Sequence, residues 1–257
     1  MNRMFFAVSA LVLASAATPA LAQDSDAPAD LTVSGSATVV SDYRFRGVSQ
    51  TNKRFAVQGG LTVTHASGLY GSVWGSSIDD YVASGSDQEI DFVLGYSKTV
   101  GAATLDVGVL YYYYPGSGGA NSDFVEPYAS VKGDLGPVSA KVGVAYAPKQ
   151  HALSWRNGRD DNTYVYGELS SAVPNTPISV TAHVGESFGR SFLTGGLKNY
   201  TDWSVNASYT WNQLSFGVTY VDTDIKKSDS PDSPGFFTNG SRFLAKGGLF
   251  GTVSVAF

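Results

Sequence analysis

The stretch TDWSVNASYTW, residues 201–211, decides how the rest of the chain is read. Trp203, Val205, Ala207, Tyr209 and Trp211 alternate with Ser204, Asn206, Ser208 and Thr210. An apolar face and a polar face repeating every second residue is the pattern of a β-strand with one side in a hydrophobic medium. TLDVGVLYYYY (104–114) repeats it, with Leu105, Val107, Val109, Tyr111 and Tyr113 opposite Asp106 and Gly108. PVSAKVGVAY (137–146) does so again, with Val138, Ala140, Val142, Val144 and Tyr146 opposite Ser139, Lys141 and Gly143.

Extended along the chain, the pattern predicts twelve strands: near 31–43, 53–65, 69–78, 88–99, 104–114 and 122–133, then near 137–147, 161–172, 177–188, 201–211, 213–224 and 244–257. Two carry an ambiguity. In 69–78 either Leu69 and Val73 or Tyr70 and Trp74 could face outward, and 122–133 contains Pro127, which removes a ladder hydrogen bond. Short turns at 66–68, 100–102, 134–136, 174–176 and 211–213 alternate with longer polar loops at 47–52, 79–87, 115–121, 148–160, 189–200 and 225–243. Tight turns on one side and long loops on the other describe an all-β, up-and-down antiparallel transmembrane β-barrel. A soluble sandwich has no need of that asymmetry. Aromatic clusters at Tyr111–Tyr114, at Tyr209 with Trp211, and at Tyr43 with Phe45 suit interfacial girdles.

The ends of the chain fit this reading. Met1 to Ala22 has a positive start, an apolar run and an A-x-A site at Ala20-Leu-Ala22, the form of a cleaved secretory signal peptide. Residues 23–30 read as a short linker and 31–257 as one barrel, with both termini periplasmic. The terminal FGTVSVAF keeps the alternation, and Phe257 is the aromatic end expected of an insertion signal read by a barrel-assembly machinery. The chain has no cysteine, which excludes disulfides and Cys-based metal sites or nucleophiles. Without Arg3 the exported chain would carry 16 cations against the 22 anions. That balance and the compartment disfavour a nucleic-acid partner.

Against this acidic background SDYRFRGVSQTNKRF, 41–55, concentrates Arg44, Arg46, Lys53 and Arg54. If strand 31–43 keeps its parity, Tyr43 and Phe45 join the girdle, while Asp42, Arg44 and Arg46 point inward near the external mouth. Arg54 and Gln58 of the next strand face the same way. The arginines then either form a positive patch that orients anionic solutes or pair with inward acids such as Asp42, Glu89 or Asp91. Deeper inward positions are Asp106, Lys141, Glu168, His183 and Glu126, of mixed sign.

SDYRFRGVSQT, QGGLTV, GLYGSVWGSSID and EIDFVLGYS resemble the TorF porin family of proteobacteria, whose role is itself assigned by inference. The similarity runs from about Leu31 to Phe257, and Asp42, Arg44, Arg46 and Gly47 match its most distinctive motif. The resemblance implies a barrel in the Gram-negative outer membrane and a porin role, and it brings no catalytic residues.

Other chemistry is weakly represented. GESFG (185–189) matches G-x-S-x-G, but a nucleophile elbow needs a strand-to-helix turn that this run does not supply. His65, His151 and His183 are far apart, and Asp160, Asp161, Asp222, Asp224, Asp229 and Asp232 lack calcium-loop spacing. The expectation is therefore a non-enzymatic channel without cofactor or metal, passing small hydrophilic solutes among outer-membrane lipid and lipopolysaccharide. Its mouth would be set by Asp42, Arg44, Arg46 and Arg54, and its lining by Gln58, Glu89, Asp91, Asp106, Lys141, Glu168 and His183. The rival is a closed structural or adhesive barrel acting through loops 148–160 and 225–243, and a hydrolase around Ser187 comes third.

Overall fold

A computed structural model describes residues 30–156, 158–229 and 236–257, so the expected signal peptide and nearly all of the 23–30 linker lie outside the described residues. In chain order the strands are β1 (Leu31–Val40), β2 (Arg44–Phe45), β3 (Val48–Ser49), β4 (Ala56–His65), β5 (Leu69–Ser77) and β6 (Gln88–Val100). Next come β7 (Ala103–Tyr113), β8 (Phe124–Leu135), β9 (Val138–Gln150), β10 (Asp160–Ala172) and β11 (Ile178–Phe188). The chain ends with β12 (Asn199–Trp211), β13 (Leu214–Thr223), β14 (Thr238–Asn239), β15 (Arg242–Phe243) and β16 (Gly248–Ala256).

Twelve of these close into one antiparallel barrel, each beside its neighbour in the chain: β1, β4 to β13 and β16. β2–β3 and β14–β15 are separate two-residue hairpins in the loops. The seam runs from Ser36↔Ala256 to Val40↔Thr252. It is extended by Gly35 N–H donating to Phe257 O (2.8 Å) and Phe257 N–H donating to Gly35 O (3.0 Å). Closure leaves no unpaired edge, the condition for a sheet to exist in a hydrocarbon medium.

The period-two pattern sets the facing. Val33, Val57, Leu61, Leu94, Val107, Val142, Leu169, Val184, Val205, Val218 and Leu249 are exposed around the outside. In β5 the ambiguity resolves with Leu69 and Val73 outward and Tyr70 and Trp74 buried inside. All five short turns contain a left-handed residue, at Gly68, Gly101, Gly136, Asn175 and Asn212. Pro127 faces outward, and regular β8–β9 pairing begins only after it, at Tyr128↔Ala145. Beyond the break the Gln150 side chain replaces the missing peptide: Val125 N–H donates to its Oε1 (2.8 Å), and its Nε2 donates to Val125 O (2.9 Å).

The expected boundaries need correction at the mouth. β1 stops at Val40 rather than 43, β4 starts at Ala56 rather than 53, and β16 starts at Gly248 rather than 244. Tyr43 and Phe45 are consequently not girdle residues, because the chain has left the wall before reaching them. Tyr43 is buried in a cluster with Val40, Trp74, Ile78, Leu110, Tyr112, Tyr114, Phe124 and Leu153, and Phe45 packs against it. Tyr112 and Tyr114 also leave the expected girdle for this cluster, while Tyr111 and Tyr113 stay outside and stack on each other. At this end three exposed tyrosines donate to aspartates: Tyr111 to Asp123 (3.1 Å), Tyr146 to Asp161 (3.1 Å) and Tyr220 to Asp222 (2.9 Å). At the turn-bearing end Tyr209, Trp211, Phe216 and Phe257 are exposed.

Candidate functional site

The site is built by 41–55, which folds into the barrel instead of continuing β1. Arg46 (φ 46°) and Gly47 (φ 81°) reverse the chain in left-handed conformations. A Cβ on Gly47 would strike the Thr223 methyl on the wall, so glycine is required both by φ and by space. Asp42 holds the hairpin together, accepting from Arg44 Nε (2.7 Å) and Ser49 Oγ (2.6 Å). Arg44 Nη1 donates to the carbonyls of Gly47 (2.9 Å), Leu244 (2.9 Å) and Lys246 (3.2 Å), tying this loop to the one before β16. Tyr43 Oη donates to Glu89 on β6 (3.0 Å), and burial together with that carboxylate raises the phenol's pKa well above its ordinary value.

Arg46 completes the arrangement. Its Nη2 donates to Glu126 on β8 (2.6 Å) and its Nη1 to Asn162 Oδ1 on β10 (2.8 Å). Its guanidinium lies 4.2 Å from the centre of the Tyr164 ring and 4.8 Å from that of Phe45. β8 and β10 flank β9, which stands half the ring away from β1. The segment leaving β1 therefore crosses the lumen and is fastened to the opposite wall. Burial alone would lower the arginine's pKa, and the Glu126 charge more than reverses that. Tyr200 Oη donates to the Arg46 carbonyl (3.1 Å), so backbone and side chain are both held.

Asp42, Arg44, Arg46 and Arg54 are thus not gathered on one wall. Asp42 and Arg44 are buried inside the loop pair, Arg46 spans the lumen, and Arg54 is exposed at the rim beside Asp79 (2.7 Å). Of the acids expected to pair with arginine, Asp42 does. Glu89 is taken by Tyr43, and Asp91 is fully buried with no hydrogen bond among the described residues. Glu126 and Asp79 are the other partners.

Below the crossing the lining positions fall on the inner face. Gln58 Nε2 donates to Ser76 Oγ (3.2 Å), Asp106 accepts from Tyr70 Oη (2.8 Å), and the Lys141 ammonium is 5.6 Å from the Tyr166 ring centre. His183 joins Glu168 (Nδ1, 3.2 Å), Asp202 (Nε2, 3.4 Å) and Tyr164 Oη (2.8 Å) across three adjacent strands. Four tyrosines reach across glycines of the neighbouring strand, their ring tips where a Cβ would stand: Tyr70 on Gly95, Tyr128 on Gly108, Tyr166 on Gly143 and Tyr164 on Gly185. A Cβ at Gly108 would fall 2.5 Å from the Tyr128 hydroxyl oxygen. The Tyr70 and Tyr128 hydroxyls also share a short hydrogen bond. Lys141, Gln58, Ser130, Thr219 and Ser254, from several heights and strands, all have under a tenth of their surface exposed, so the lumen is narrow in this conformation.

The sequence reading missed this tyrosine–glycine wall and Asp202. Their signal was parity: Tyr70, Tyr128, Tyr164, Tyr166 and Asp202 occupy inward positions, with glycines one strand away. GESFG gives no elbow, since β11 stays extended through Phe188 and Ser187 is buried in its wall. The loop acids serve local structure: Asp160 accepts from Trp155 N–H, Asp224 from Thr201 N–H and Asp229 from Lys226 N–H. Asp232 lies outside the described residues, and among those residues no group of three or more potential metal ligands occurs.

The fold is similar to a solved NanC porin at 11% identity and a TM-score of 0.57, covering 87% of this chain and 98% of that one. It is similar also to a membrane protein solved in work on in-meso crystallisation, at 10% identity and a TM-score of 0.51, covering 87% and 83%. At these identities the likeness establishes a porin-like barrel fold. A search of curated proteins gave no match. A family profile, which is not that of the TorF porins, matches residues 22–247: the chain belongs to the Gcw_chp family, described as bacterial protein of unknown function.

Proposed function

We propose that this chain is an outer-membrane channel for passive diffusion of small hydrophilic solutes, with 41–55 as an internal constriction. The observation that carries it is the Arg46–Glu126 bridge. A barrel with an apolar exterior and a charged, hydrogen-bonded interior is closed off at one level by a loop whose side-chain anchor on the far wall is one arginine. Displacing that loop would join the two ends of the lumen through a passage lined by Asp106, Lys141, Glu168 and His183. The proposed location follows from the apolar outer belt, the aromatic ends and the asymmetry of turns and loops. The resemblance to TorF porins supports the same role. Diffusion through such a passage needs no nucleophile, cofactor or energy source.

A second reading, a closed structural or adhesive barrel, is favoured by the apolar packing at the mouth. Besides the cluster around Tyr43, a second one joins Tyr200, Ile225, Phe237 and Ala245. Planar-bilayer recording separates the two. Under the channel reading the wild type gives small or infrequent current steps, and Arg46→Ala gives larger or more frequent ones. Silence from both proteins, each shown to be folded by heat-modifiable gel mobility, would overturn the channel and leave the closed barrel.

A further inference from the structure

The cations of 41–55 that do not enter the lumen meet others from a distant part of the chain. Arg242 Nη1 donates to Asn52 O (2.8 Å), 190 positions away, and Arg44 clamps the Leu244 and Lys246 carbonyls. Lys53, Arg242 and Lys246 are thereby placed on one side of the mouth, with Arg54 beside them. Arg54, Arg242 and Lys246 are exposed and Lys53 is half-buried. Two consecutive left-handed residues, Asn52 (φ 52°) and Lys53 (φ 57°), shape the turn that presents the lysine. Nearby acids are engaged: Asp42 with Arg44, Asp79 with Arg54, and Asp222 with Tyr220 Oη and Thr223 N–H. Among the described residues Lys53, Arg242 and Lys246 have no carboxylate partner. The Lys53 ammonium has a lowered pKa through partial burial and then the charge of Arg44; Asp42 opposes the shift, and Lys246 and Arg242 add to it. So the cations crowd one another in a chain of net charge −5.

What lies beneath this patch narrows the occupant. The loops bearing it rise from β16, β1 and β4, three adjacent strands of the wall. The outward residues at their upper ends include Leu249, Phe55 and Val57, 73%, 76% and 67% exposed, together with Val39. Cations on loops that rise from strands with an apolar outer face match an amphiphile with anionic groups at the head and acyl chains below.

We propose that Lys53, Arg242 and Lys246 form a binding site for the phosphates of a phosphorylated glycolipid in the outer leaflet, whose acyl chains lie along β16, β1 and β4. This rests on the outer-membrane location proposed above and is separate from conduction. The site stands on the outside of the mouth, and Arg46 takes no part in it.

The test uses the full-length folded protein in neutral detergent, titrated with diphosphorylated lipid A, with the same glycolipid after removal of its phosphates, and with inorganic phosphate, read by native mass spectrometry. Each cation near an anionic lipid surface contributes on the order of fivefold, so preference for the phosphorylated form should be about a hundredfold. That preference should vanish in Lys53→Glu/Arg242→Glu/Lys246→Glu and persist in Lys98→Glu, at the opposite end of the barrel. Equal binding of the two glycolipids, or discrimination surviving the triple substitution, would overturn the site. Inorganic phosphate displacing lipid A at comparable concentration would overturn the lipid as occupant. Bilayer recording on the same proteins keeps the two proposals apart: a silent protein that discriminates loses only the channel, and a conducting one that does not loses only this site.

Discussion

Arg46 and Glu126, 80 positions apart in the chain, meet at 2.6 Å from opposite sides of the barrel. Both are buried, so the pair acts as a brace whose removal is felt twice. Arg46→Ala leaves a carboxylate uncompensated inside the lumen, a change that costs about 3–5 kcal/mol for buried pairs. Arg46→Met/Glu126→Gln removes both charges and should recover most of that loss. Urea unfolding of Arg46→Met, Glu126→Gln and their double variant forms the cycle. If each single loss is below about 0.5 kcal/mol, the size expected of an exposed pair, the brace does not hold the segment in place.

The tyrosine–glycine contacts give a second expectation. Gly143 lies under the Tyr166 ring and Gly185 under that of Tyr164, so an alanine at either position must lift an aromatic ring off the wall. Overpacking of this kind costs about 1–3 kcal/mol. Gly143→Ala should lower the temperature of the heat-modifiable gel shift, and adding Tyr166→Ala should relieve part of the strain. An unchanged midpoint for Gly143→Ala would show that the ring moves freely.

Where the chain stays in the wall, its sequence carries most of the reading. Twelve strands, the facing of all but 69–78 and the inward placement of Gln58, Asp106, Lys141 and His183 follow from a period of two, because every wall residue has one neighbour inside and one outside. That rule says nothing once the chain leaves the sheet. Parity carried past Val40 put Tyr43 and Phe45 outside and Arg46 on the near wall. The left-handed turn at Arg46 and Gly47 puts all three within the barrel. Arg46 finds Glu126 and Asn162 through the closure of the ring, a global property that no local window of sequence contains. The tyrosines were hidden differently. Hydropathy counts a tyrosine as apolar and outward, whereas Tyr164 and Tyr166 lie inside because glycines make room for their rings.

Gln150 repairs the ladder interrupted by Pro127, and this too can be measured. Gln150→Ala removes both hydrogen bonds to Val125 and leaves a backbone donor and acceptor unpaired. The expected loss is about 1–3 kcal/mol, and it should be local. Hydrogen exchange at the Val125 amide should quicken by an order of magnitude or more while amides in β12 and β13 keep their protection. Uniform acceleration around the ring would show instead that the barrel opens as a unit.

The mouth should loosen in alkali before the wall does. Tyr81 Oη donates to Ser49 O (2.6 Å) and accepts from Asn52 N–H (3.1 Å), joining loop 79–87 to the constricting segment. Burial pushes its phenol from the ordinary 10.0 up to about 12. A folded-state value above the unfolded one means that this contact's stability is fully present below pH 10 and lost as pH rises through about 12. Current steps should grow across that window and shrink again on return to neutral pH. Tyr81→Phe lacks the ionisation, so an identical alkaline onset in that variant would remove Tyr81 as the cause.

Ion preference should be set below the crossing rather than by the arginines of the mouth. Arg44 is spent on Asp42 and three carbonyls, and Arg46 on Glu126 and Asn162, so neither is left to meet a passing solute in this conformation. Lys141 stands opposite this in the lower lumen, level with Glu168 in the β9–β10 ladder and near Asp106. Lys132, its cross-strand neighbour on β8, shares that inner face, so the two lysines are charges of the lower lumen that a solute would pass once 41–55 is displaced. In the Arg46→Ala background, Lys141→Glu should move the reversal potential in a salt gradient towards cations, because a fixed lumen charge acts on every ion that passes. Arg44→Gln in the same background should change the onset of the steps and leave the reversal potential where it was. A shift produced by Arg44→Gln and not by Lys141→Glu would return the filter to the mouth.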